Sequence, residues 1–341
     1  MRNHEVTTKH KLLDENGVLI EPGWSKTLIQ DYDRNDIKKR KTRIKEWDYY
    51  YVMLNSAGLV LCLTVADLGY IGLHSVSIID MNNGFANSES QIEVLPLGAR
   101  KMPSTSETGD VRFKNKKLAI EFLKKDNERI LRMNYPSYAK GKGIRCNIRL
   151  FDEPKDSMVI ATPWDNDKNA FYYNQKIVCL RAEGKLEYDG VTFELDSSTD
   201  FGGLDWGRGV WTYDNTWYWG SGSGQLDGVP FGFNIGYGFG NTSAASENVV
   251  FYNGVAHKLD DVTFNISENY VDPWTFTSSD GRFEMDFVPV VDRNEKLDLA
   301  VVQTEQHQVF GKMTGYVILD DGTKLEIKDF PCFAEKVHNK Y

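Results

Sequence analysis

Cysteine is scarce in this chain. Its 341 residues hold four, Cys62, Cys146, Cys179 and Cys332, and no two form a C-x-x-C pair. That scatter excludes a disulfide-stapled framework and reads as buried free thiols in a reducing compartment. In IRCNIRL, for example, Ile144, Cys146, Ile148 and Leu150 share one strand face. Histidine is equally thin, with six residues far apart and neither H-E-x-x-H nor H-x-H. No metal ligation is expected. The Gly-rich GSGSGQ (Gly220–Gln225) lacks the Lys-Ser/Thr ending of a P-loop, and GYGFGN (Gly236–Asn241) lacks dinucleotide spacing. A G-x-S-x-G elbow is absent too. No cofactor is therefore expected.

Positive charge is also in deficit. The formal net charge is −9, which argues against a nucleic-acid partner. The lone basic run, Lys38 to Arg43, reads as a solvated face. Long apolar runs are missing as well. The most apolar stretch, Ala57 to Leu73, is broken by Asp67 and, after it, by Gly69 and Gly72. It predicts two buried strands joined by a turn, not a membrane span. The opening MRNHEVTTKHKLLDENG shows no apolar h-region, so no signal peptide and a cytoplasmic location are expected. Helical periodicity is confined to two candidates, Asp36 to Trp47 and Ala334 to Asn339.

What fills the chain is alternation of period two, punctuated by X-Gly turns. Asp189-Gly190, Asn253-Gly254, Asp280-Gly281 and Asp321-Gly322 each separate two alternating runs, and SIIDMNNGF (Ser77–Phe85) reads the same way. The expectation is a nearly all-β, antiparallel protein, closed into barrels or sandwiches that dispose of sheet edges. Two stretches, Lys176–Asp196 and Asn248–Ile266, each place a V-T-F strand after a hairpin. With the chain length, they suggest two similar units, divided near residue 185 as 1–185 and 186–341.

One segment stands apart. GGLDWGRGVWTYDNTWYWGSGSG, Gly202 to Gly224, holds four tryptophans, two tyrosines, an arginine and two aspartates. Such aromatic density beside charge reads as a pocket wall, because buried indoles each need an N–H partner. Trp206, Trp211, Tyr213, Trp217 and Trp219 are the candidate wall, with Asp205 and Arg208 at its rim or floor. Secondary candidates are Asp67, Tyr70 and His74, then Asp272 and Trp274, then Glu305 with His307 two residues on. Asp205 either pairs with Arg208 as a structural clasp or stays protonated as an acid. In the first case the acid passes to Asp67, Asp272 or Glu305.

Taken together, KEWDYYYVML, VADLGYIG, the tryptophan segment, NIGYGFGNTSAASENVVFYNG and the closing FPCFAEKVHNKY resemble the domain of unknown function 2804 family along almost the whole chain. More distantly, the order hairpin, V-T-F strand, L-D-W-G is similar to the carotenoid 1,2-hydratase and AttH group. That group carries a Trp-Asp-His-x-Trp-Gly type motif. Here the His is missing and the spacing is shorter. The resemblance implies two consecutive lipocalin-like (calycin) barrels with a site near Asp205. Three functions stay open. One is binding of an apolar small molecule, such as a lipid or isoprenoid, in an aromatic pocket inside a barrel. The second is a cofactor-free hydratase, cyclase or isomerase that protonates an alkene with a carboxylic acid. The third is carbohydrate binding or cleavage.

Overall fold

In a computed structural model, which describes residues 3–299 and 302–340, the chain is almost entirely β. Among the described residues helix is limited to one α-turn, Tyr138–Gly141, and two 3-10 turns, Arg34–Asp36 and Lys41–Arg43. Two large antiparallel sheets carry the fold. The first has 13 strands. Its central run in space is Phe85–Val94, Ile71–Asp80, Leu59–Asp67, Ile44–Leu54, Phe201–Val210, Asp167–Tyr188 and Ile144–Phe151. Three shorter strands continue it to Val111–Lys114. The second sheet has nine strands, centred on Asp214–Leu226, Lys324–Lys340, Val302–Ile318 and Phe283–Leu299.

Each sheet curls into a lipocalin-like half-barrel. The edges of the first are drawn together by side chains. His74 stacks on Phe113 at 3.6 Å between ring centroids, and the Asn115 amide donates to Gln91 at 3.0 Å. Inside the first curl lies a packed core that includes Tyr50, Phe122, Tyr173 and Trp206. The second curl encloses Phe231, Trp274, Phe276 and Phe283. A third cluster sits between the sheets and draws on both, with Tyr51, Met53 and Cys179 from one against Trp219, Phe310 and Phe333 from the other.

The X-Gly turns do close hairpins. At Asp189-Gly190 and Asn253-Gly254 both residues have positive φ, the signature of a type I′ turn. Asp227-Gly228 has the same geometry (φ 49° and 83°) and joins Asp214–Leu226 to Val229–Tyr237. At the other three predicted turns only the glycine is left-handed.

Neither predicted helix forms. Asp36 to Trp47 breaks into the two 3-10 turns and then enters the strand Ile44–Leu54. Its continuation, WDYYYVML, alternates between the two faces of a fully occupied sheet. The tail, Ala334 to Asn339, lies in Lys324–Lys340, a central strand paired on both sides. There, flanking strands satisfy the backbone and outweigh the helical spacing of a short segment. Pro331 is tolerated because the second partner joins only from Phe333 onward. The strand Asp167–Tyr188 runs uninterrupted past residue 185, and the chain passes from one sheet to the other between Val210 and Asp214.

Candidate functional site

The tryptophan segment straddles that crossing. Phe201–Val210 lies in the first sheet and Asp214–Leu226 in the second. Alternation along Phe201–Val210 sends Gly203, Asp205 and Gly207 toward the second sheet, and Trp206 and Arg208 into the first half-barrel. The glycines make room. A Cβ on Gly203 would fall 2.4 Å from the Tyr51 ring, and one on Gly207 only 1.9 Å from the Trp47 indole. Glycine is thus needed at both positions for aromatic rings to lie flat on the strand.

A cavity of about 250 Å³ opens between the sheets. One wall is aromatic: Trp47, Tyr49, Tyr172, Trp211, Trp217, Trp219 and Phe239. Trp211 meets Trp47 and Trp217 edge-on at 5.6 and 5.2 Å, and Tyr172 stacks on Phe239 at 4.8 Å. The opposite wall is polar, with Thr64, Ser75, Ser77, Ser88 and Ser90 on three adjacent strands and Gln306 and Gln308 across from them. Charged side chains sit where the walls meet: Lys45, Lys176, Asp205, Arg293, Glu295 and Glu335.

The sequence candidates divide. Asp205, Trp211, Trp217 and Trp219 come together on the cavity. Asp205 does not pair with Arg208, because the two project from opposite faces of one strand. Its carboxylate instead meets Lys176 Nζ at 2.9 Å and accepts from the Asn174 amide at 2.5 Å. Arg208, fully buried, donates to Asp48 at 3.1 Å and to the Trp47 and Pro103 carbonyls, and stacks over Trp206 at 4.2 Å. Arg208 and Trp206 belong to the packed core. Tyr213 lies at the crossing, 49% exposed and off the cavity.

The remaining candidates are dispersed. Asp67 accepts from the Gly69 and Gly98 amides and so anchors two loops. Tyr70 lies beside Lys45, whose ammonium is 5.3 Å from its ring. His74 is buried against Phe113, and burial pushes its pKa down to about 4. Trp274 fills the second core and donates to the Tyr270 carbonyl. Asp272 is an exposed turn residue, and Glu305 is exposed opposite Lys296 at 3.6 Å. His307 pairs with Asp292 at 2.7 Å, with Glu305 farther off at 3.9 Å.

Sequence reasoning missed much of the site. Trp47 and Tyr49 were signalled by the aromatic alternation of WDYYY. Lys176 was signalled by the polar triplet Asn174-Gln175-Lys176 set between the apolar runs AFYY and IVCL. It is buried, with its ammonium 4.0 Å from the centre of the Trp219 ring. Glu335 was hidden by the helical reading of the tail. Its two oxygens accept from Trp217 Nε1 at 3.0 Å and Gln308 Nε2 at 2.8 Å. Burial raises its pKa despite those donors. Burial also drives the Lys45 pKa well down, and nearby Arg43 adds to the effect. Among the polar atoms of cavity residues, Trp211 Nε1 and Gln308 Oε1 are buried with no hydrogen-bond partner among the described residues. Among those residues no group of three or more His, Cys, Asp or Glu is placed to hold a metal ion. No helix there is long and apolar enough to cross a membrane.

The comparisons agree with this architecture. The family described as domain of unknown function (DUF2804) matches residues 3–341. The chain belongs to that family. No curated protein matches the sequence. Among solved structures, an AttH-like protein from Nitrosomonas europaea is similar over 91% of this chain and 96% of its own, with a TM-score of 0.54 at 12% identity. Kievitone hydratase from Nectria haematococca aligns over 98% of both chains, with a TM-score of 0.42 at 10% identity. The likeness to the AttH-like protein, at 12% identity, speaks for the fold and leaves the chemistry of this DUF2804 chain to its own residues.

Proposed function

We propose that the inter-sheet cavity binds a small, mostly apolar molecule. The observation that supports this reading is the aromatic wall, four indoles from Ile44–Leu54, the crossing and Asp214–Leu226 that edge the inter-sheet core and line open space beside it. Rings held edge-to-face present rigid apolar surface at little entropic cost to a ligand. The test is native mass spectrometry of the purified protein, combined with solvent extraction, on the parent and on Trp217→Ala. An apolar molecule that accompanies the parent and is lost from the variant is the expected outcome. A parent that carries nothing and quenches with no apolar probe overturns the reading.

A second reading, acid-catalysed hydration or isomerisation of an alkene, draws on one feature. Glu335 is a buried carboxyl of raised pKa held beside an indole at the cavity wall. Aromatic faces suit the cation such a reaction would form. Asp205 is less available as an acid, since its carboxylate is already engaged by Lys176 at 2.9 Å and by the Asn174 amide. Glu335→Gln is expected to abolish turnover of any substrate found while leaving its binding intact. Undiminished turnover sinks the assignment.

A further inference from the structure

The two walls of the cavity differ in chemistry, and the charges between them are unequally satisfied. Asp205 is neutralised by Lys176 and held by Asn174. Glu335 has a donor on each oxygen. Arg293 has much less. Its guanidinium lines the cavity and donates once, through Nη1, to the Ser77 hydroxyl at 2.9 Å. Among the described residues no carboxylate forms an ion pair with it. A guanidinium carries five N–H donors in a fixed fork, so most of its capacity faces the cavity unspent.

The surface around Arg293 matches it. Ser77 in turn accepts from the Ser88 hydroxyl at 2.8 Å, which leaves the Arg293–Ser77–Ser88 chain oriented. Beside this chain, Thr64, Ser75 and Ser90 lie opposite one another on three adjacent strands. Their hydroxyls make no hydrogen bond among the described residues. The fork offers donors only, and the hydroxyls can donate beside it, at one end of a cavity whose other wall is indole.

From this we propose, resting on the ligand-binding reading above, that the occupant is an amphipathic carboxylate. Its anionic head docks on the Arg293 fork and the Thr64–Ser75–Ser90 hydroxyls. Its apolar body lies against Trp211, Trp217 and Trp219. Planar bidentate recognition is what an arginine offers a carboxylate, and partial burial strengthens the pair. The head is chosen by its acceptors and its charge. An alcohol of the same shape reaches the hydroxyls but brings no charge to the guanidinium.

The experiment measures dissociation constants by quenching of tryptophan fluorescence. The probes are straight-chain and naphthyl carboxylates, each paired with its matching alcohol. The expected result is that the acids bind the parent protein at least about tenfold more tightly than the alcohols, the range for a charge-assisted hydrogen bond. Arg293→Gln is expected to remove that preference by weakening acid binding far more than alcohol binding, and Arg293→Lys to restore part of it. Alcohols that bind as tightly as acids overturn the carboxylate assignment and leave the apolar pocket standing. A preference that survives in Arg293→Gln also overturns it. Failure of every probe to bind overturns the pocket reading and this one with it. Should Arg293→Gln not fold, the acid-to-alcohol ratio in the parent protein decides alone.

Discussion

At the scale of single residues, the cavity is built from groups that cost stability, and two of them make this measurable. Lys176 and Asp205 form a buried ion pair in which each charge depends on the other. Asp205→Asn leaves the ammonium buried without its counter-charge, over the Trp219 ring. The expected loss is about 3 kcal/mol in urea unfolding, and Asp205→Asn combined with Lys176→Met should recover most of it. A single mutant as stable as the parent contradicts the pairing. Glu247 offers a pH test. It is buried behind Tyr172, whose hydroxyl reaches it at 3.3 Å, and burial raises its pKa from the usual 4.5 to about 7. The folded state therefore holds this proton more tightly than the unfolded state does. The group's contribution is fully present below about pH 4.5 and is lost as pH rises through about 7. Glu247→Gln is expected to match the parent near the acid end and to exceed it above pH 7 by on the order of 3 kcal/mol. Parallel pH profiles for the two proteins rule this out. Asp205 also shows what the sequence hides at this scale. Its spacing to Arg208 across a glycine suggested a clasp, yet strand alternation separates residues three apart onto opposite faces. Its partner, Lys176, comes from a neighbouring strand by register alone.

At the scale of elements, local rules carried far. The Asp-Gly and Asn-Gly turns mark hairpins because few other residues accept positive φ at two successive positions. Where the pattern is local, as in IRCNIRL, the buried face is legible to the residue: Ile144, Cys146, Ile148 and Leu150 are all buried. The misjudged tail had the opposite problem. FAEKVHN has no strong strand alternation of its own, and only pairing on both sides makes it a strand. Two glycines separate turn chemistry from close packing. Gly228 has φ 83° and open space where a Cβ would go, so Gly228→Ala meets only backbone strain, about 1 kcal/mol. Gly184 has φ 120° and pairs with both Ile148 and Leu195. A Cβ there would lie 2.2 Å from the Asn147 carbonyl oxygen. Gly184→Ala is expected to cost about 3 kcal/mol, as overpacking plus a displaced ladder. Equal melting temperatures for the two alanine variants would contradict this account.

At the scale of the whole molecule, the open question is whether the two half-barrels are independent. The tryptophan segment was legible as unusual, but its cavity was expected inside one barrel. Each interior holds its own packed core. The space lies between the sheets, and no sequence pattern reports how two sheets meet. That meeting is itself a core. Tyr51, from the first sheet, places its hydroxyl 2.8 Å from both Ser221 and Ser223 of the second. The backbone N–H of Cys179 donates to Ser223 as well. Around these bonds, Tyr51 packs edge-on to Phe333 at 5.2 Å, and Tyr49 to Trp219 at 5.7 Å. Separating the sheets would expose these rings and strand buried polar groups in both halves. Each half therefore leans on the other for part of its stability, and the protein is expected to unfold in a single transition. Chains of more than about 150 residues often unfold through intermediates, so the expectation is a demanding one. The check is urea unfolding followed by far-ultraviolet circular dichroism for the strands and by tryptophan fluorescence for the interface. Coincident midpoints support a shared core. An interface signal that is lost well before the strand signal shows that the halves part first and stand alone.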